Sequence, residues 1–67
     1  MDWLTFLKVM AMDEEAAYKK YQLAASLTDD EELKALLERL RDEEEFHAQF
    51  LLEQYNRLQR LLAARAQ

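Results

Sequence analysis

The chain contains no cysteine, no glycine and no proline. Without cysteine there can be no disulfide and no thiolate metal site, so carboxylate and imidazole are the only strong metal ligands available. Without glycine or proline the two strongest breakers of regular backbone are missing, and a composition of 51% hydrophobic and 34% charged residues reads as helix almost throughout. Positive charge is also scarce. The 9 basic residues against 14 acidic ones leave a net charge of −5, and they form no run that could follow a phosphate backbone, so nucleic acid is not expected as a partner. Long apolar runs are absent as well. Trp3 to Met12 is the most apolar stretch, yet Lys8 interrupts it and it is too short for a membrane span. The expected setting is therefore the cytoplasm, or a compartment enclosed within it.

A single unit of 67 residues buries only a modest share of its apolar surface, and such chains usually need a metal or a partner to become stable. Two apolar stripes show where that surface lies. Trp3, Leu7, Met10, Glu14, Ala17, Tyr21 and Ala24 follow alternating steps of four and three, the spacing of one helical face, and predict a helix over about 2–27. Leu33, Leu37, Leu40, Glu44, His47, Leu51, Gln54, Leu58 and Leu61 repeat that spacing and predict a second helix over about 31–65. Between them, Thr28 with Glu31 has the form of a capping box. Asp29 to Glu32 place negative charge where the second helix begins, and Arg60 and Arg65 place positive charge near its end. A turn of about 28–30 is too short to carry the chain anywhere but back along itself. The expected fold is an all-α antiparallel two-helix hairpin forming one domain over 1–67.

Each stripe is broken by polar residues where apolar ones belong: Glu14 in the first helix, Glu44 and His47 in the second. Glu44 and His47 are three apart and share a face. Counted from a turn centred near Asp29, Glu14 lies fifteen residues before it and Glu44 fifteen after. At about 1.5 Å per residue both sit roughly 22 Å along the hairpin, with His47 one turn further on, opposite the small Ala11. Burying an unpaired carboxylate costs several kcal/mol, a large part of what so small a fold can spare. The stripes hold no Lys or Arg at this level, since Lys19, Lys20, Arg39 and Arg41 fall off them, so a cation is the expected counter-charge. One hairpin offers three ligands. A twofold pair would offer four carboxylates and two imidazoles, the ligand set of a di-iron centre inside a four-helix bundle.

The segment Asp42-Glu43-Glu44-Glu45-Phe46-His47-Ala48 resembles the Glu-x-x-His helix of the ferritin-like and rubrerythrin families, and Glu14 followed by Tyr21 is similar to the helix that precedes it there. The separation of Glu14 from Glu44, the Thr-Asp-rich turn and Glu32-Leu33 resemble the encapsulated ferritins more closely, over about residues 10–56. The resemblance implies that Glu14, Glu44 and His47 bind iron at a di-iron ferroxidase centre shared by two subunits of a homodimer, which forms a ferritin-like four-helix bundle. It also implies larger rings such as a decamer, and residence inside an encapsulin-type nanocompartment that stores the mineralised iron. Mn, Zn and Ca are the alternative occupants. Some encapsulated ferritins carry extra carboxylates beside the helix-one ligand; Asp13 matches the first of these, whereas Ala16 stands where the second would be.

Around the ligands, Glu15, Glu43 and Glu45 point about 100° away and read as a solvated acidic face. Tyr21 is a candidate to hydrogen-bond a ligating carboxylate, with a plain core role as its alternative. Trp3, Phe6, Met10, Met12 and Phe50 read as packing residues, and Gln54 as an interhelical hydrogen-bonding group. Two other functions fit the same residues: a rubrerythrin-like peroxidase, which would need its electron donor on another protein, and a non-catalytic helical assembly module.

Overall fold

A computed structural model describes residues 1–66 of the chain as two α-helices, α1 over Trp3–Leu27 and α2 over Glu31–Arg65, packed along each other as an antiparallel hairpin. Its largest dimension, 56 Å, is close to the roughly 52 Å expected for 35 residues of helix, so α2 sets the length of the rod.

Both helix starts are made by aspartate. Asp2 accepts from the backbone N–H of Thr5 at 3.2 Å and from the Thr5 hydroxyl at 2.6 Å, which closes the first turn of α1. Asp30 accepts from the Leu33 N–H at 2.8 Å and caps α2, while Glu31 and Glu32 add negative charge to the first turn. The expected capping box from Thr28 to Glu31 does not form. Thr28 closes α1 instead, donating its N–H to the Ala24 carbonyl at 3.2 Å, and its hydroxyl accepts from the Asp30 N–H at 3.1 Å. A carboxylate is the stronger acceptor for an unpaired helix N–H, so Asp30 takes the cap and Thr28 stabilises the turn. Thr28 and Asp30 both have extended backbone, and no described residue needs a positive φ, so the reversal is made without glycine.

The helices meet on small side chains. Ala11 and Ala25, 4% and 5% exposed, are the buried residues of the hairpin, and half-buried Leu7, Met10, Tyr18, Tyr21, Leu37, Leu40, Leu51, Tyr55 and Leu58 surround that seam. The stripes are not covered along their whole length. Trp3, Leu33, Gln54 and Leu61 are exposed, as are Phe6, Met12 and Phe50, which the sequence suggested as packing residues. Two helices can cover only one side of each other. The remaining apolar sides have no third or fourth helix to rest on. No helix among the described residues is long and apolar enough to cross a membrane.

Candidate metal centre

Glu14 is carried on the middle of α1, and Glu44 and His47 on successive turns of α2. The hairpin brings them to one level. One donor atom from each of the three lies within 4.8 Å of the others, and His47 Nδ1 is 3.7 Å from Glu14 Oε2 across the seam. At that distance the pair is not a hydrogen bond, and it is an ion pair only when the imidazole is protonated. Two donors on opposite sides of one ion at about 2.1 Å can be no more than ~4.2 Å apart. The cluster is thus slightly wider than a closed single-ion site. Oxygen and imidazole nitrogen are donors that suit Fe, Mn and Zn alike, so the residues fit a divalent transition metal.

Their surroundings are uneven. Glu14 and Glu44 are half-buried, whereas the His47 side chain is 54% exposed. The stripes place all three residues where apolar ones belong; in the hairpin the carboxylates border the seam, and the imidazole stands at its rim on one open face. The reason lies in the helical period. His47 is three residues beyond Glu44, about 60° further round α2, which carries it off the line facing α1.

Nearby basic groups are engaged elsewhere. Lys19 pairs with Glu15 at 3.5 Å, Arg39 with Glu43 at 3.3 Å and Arg41 with Asp42 at 3.0 Å. The hydrogen bond from Arg41 to Asp42 holds this guanidinium above its usual range, so it stays charged and occupied. Among the described residues, no lysine or arginine forms an ion pair with Glu14 or Glu44. Two half-buried carboxylates therefore face each other with one imidazole as their neighbour, a donor set that favours a cation between them. Comparison with known protein families, curated proteins and solved structures finds no match to this chain.

The other candidates are placed as follows. Tyr21 is half-buried two turns from Glu14 and, among the described residues, makes no hydrogen bond to the cluster. Gln54 does not reach across the helices; its Oε1 accepts from Arg57 Nε at 2.9 Å on the same helix. Phe46, not singled out from the sequence as a site residue, lines a shallow depression with His47, Arg39, Asp42 and Glu43. It packs edge-on against Phe50 with ring centroids 4.5 Å apart. The four-residue spacing of these two phenylalanines was the available signal.

Around the cluster the open face is apolar. Leu36, Leu40, Phe50 and Leu61 share His47's side of α2 by helical spacing, and Trp3, Phe6 and Met10 lie within a quarter turn of Glu14 on α1. Trp3, Phe6, Leu36, Phe50 and Leu61 are all exposed in the single hairpin.

Proposed function

We propose that this chain is half of a two-subunit iron site: two hairpins pair across the face that carries His47, and the shared cluster binds Fe(II) and oxidises it to Fe(III). The observation that carries this reading is the convergence of Glu14, Glu44 and His47 at mid-length of an uncovered apolar face. One chain supplies three donors, too few for two ions. A twofold pair doubles them to four carboxylates and two imidazoles and covers Trp3, Phe6 and Phe50 in the same step. Dimerisation and metal binding then support each other, because the cation neutralises carboxylates that pairing would otherwise bury unpaired.

Iron is the substrate in this reading. Each of two Fe(II) ions loses one electron; dioxygen takes both electrons with two protons from water and leaves as hydrogen peroxide, and two Fe(III) ions remain. The protein contributes position and charge. Glu14 and Glu44 hold the pair of ions close and favour the higher charge of the product, while His47 supplies one neutral donor and leaves room for the oxidant.

The test is anaerobic Fe(II) titration read by native mass spectrometry, followed by exposure to dioxygen. Two iron ions per two chains and rapid formation of ferric absorbance are expected. If His47→Ala oxidised Fe(II) as fast as the parent, the assignment would fall. Faster turnover with peroxide and a reductant than with dioxygen would move the reading to a rubrerythrin-like peroxidase. The exposed apolar faces equally suit a non-catalytic assembly module, which would melt at one temperature with or without Fe(II), whereas a ligand cluster gains about 2.7 kcal/mol at a hundredfold excess of metal over Kd.

A further inference from the structure

On the side of α1 away from the cluster runs a second apolar line. Val9, Met12, Ala16, Leu23 and Leu27 recur at helical spacing, with Lys19 and Lys20 on either side of the line between Ala16 and Leu23. At 100° per residue Met12, Ala16 and Leu23 stand about half a turn from Glu14, so a chain docked over the cluster leaves them uncovered. All five are exposed in the hairpin, Met12 to 60% and Leu23 to 61%. A helix with apolar sides on opposite faces is built to be covered on both.

The charges along this line indicate what covers it. Asp13 and Lys20 flank the line on one side, seven residues apart, and among the described residues neither forms an ion pair. Acidic charge thus precedes the middle of the line and basic charge follows it. Laid against itself in the same direction, the face carries the charged flanks of the two copies to opposite edges of the contact, where Asp13 and Lys20 gain no partner from each other. Laid against itself in the opposite direction, it sets Asp13 beside Lys20 of the partner subunit, twice by symmetry, and Met12 level with Leu23 of the partner subunit.

We propose that the outer face of α1 is a second contact between copies of this chain, in which two α1 helices pack antiparallel about a twofold axis between Ala16 and Lys19. The small Ala16 lets the helices approach at the centre, and the Lys19 stem lies along the apolar line while its ammonium stays in water. Val9 and Leu27 close the two ends. This contact does not rest on the metal site, since it uses the opposite side of α1. If both contacts form, each chain carries two twofold interfaces on different faces, and copies join alternately through them into a closed ring or an open filament.

The test measures dimer dissociation constants by a native-mass dilution series in chelator, on full-length His47→Ala chain so that the metal contact contributes least. Two-chain particles are expected. Asp13→Lys turns two attractions into two repulsions and should weaken the dimer about tenfold. The double variant Asp13→Lys/Lys20→Asp should restore it. Leu23→Glu should weaken it at least ~100-fold, by placing two charges in the apolar line. Circular dichroism of each variant checks that the helices persist. A His47→Ala chain that stays monomeric, an Asp13→Lys chain that dimerises like its parent, or a double swap that fails to restore the contact would each overturn the proposal. A parent chain that takes up no iron, yet responds to these substitutions as described, would sink the metal reading and leave this one standing.

Discussion

Glu14 is a carboxylate that partial burial disfavours and that the proposed metal site would need. It is half-buried beside Glu44, with no lysine or arginine paired to it among the described residues. Replacing it by leucine should raise the melting temperature of metal-free protein and abolish the rise that Fe(II) produces in the parent. Calorimetry with and without metal checks both halves. Ala11 makes the opposite case. At 4% exposure it sits where the helices approach, so Ala11→Leu should destabilise the hairpin by about 1–3 kcal/mol through overpacking, read from denaturant unfolding. Of the site, Glu14, Glu44 and His47 were legible as residues because polar groups interrupted an apolar period. The exposure of His47 was not, because a stripe drawn from steps of three and four is broad enough to include positions both in the seam and at its rim.

The two helices are defined at their starts by aspartates and joined by three residues of extended and turn backbone. Asp30→Ala should cost about 1 kcal/mol of helix stability, whereas Thr28→Ala removes only a turn contact and should cost less; thermal unfolding of the two variants checks the order. Acid acts at the other end. Hydrogen bonds from the Thr5 hydroxyl and then from the Thr5 N–H hold the Asp2 carboxyl below the usual aspartate value. A group whose pKa is lower in the folded chain stabilises it fully above the unfolded value and loses that contribution as pH falls through the folded value. The start of α1 should therefore fray on acidification, and Asp2→Asn, which caps without titrating, should flatten that acid limb in helicity measured against pH. The helix bounds followed from the period and the polar interruption at 28–30, but the identity of the cap did not. Thr28 and Asp30 are both good capping residues, and only the path of the turn decides which oxygen meets the free N–H groups.

The whole molecule is a rod 56 Å long whose helices cover one side of each other and leave exposed Trp3, Phe6, Leu36 and Phe50 on one open face and Met12 and Leu23 on the outer face of α1. Among the described residues the hairpin buries Ala11 and Ala25 alone, and so has little core of its own. Its unfolding should depend on protein concentration, with the melting temperature of metal-free chain rising across a hundredfold increase in concentration. A concentration-independent melt would show that the single hairpin is stable without a partner.

The sequence alone determined the two helices, their antiparallel return and the common level of Glu14 and Glu44, with His47 one turn further on. All three follow from the helical rise and period acting on a chain with no glycine or proline and one short polar break. Only the tertiary structure decided which oxygen caps α2, which stripe residues remain open and how far apart the three donors stand. Those depend on the rotation of each helix about its own axis, which is set by where Ala11 and Ala25 allow the backbones to approach and is not encoded in the spacing of either stripe.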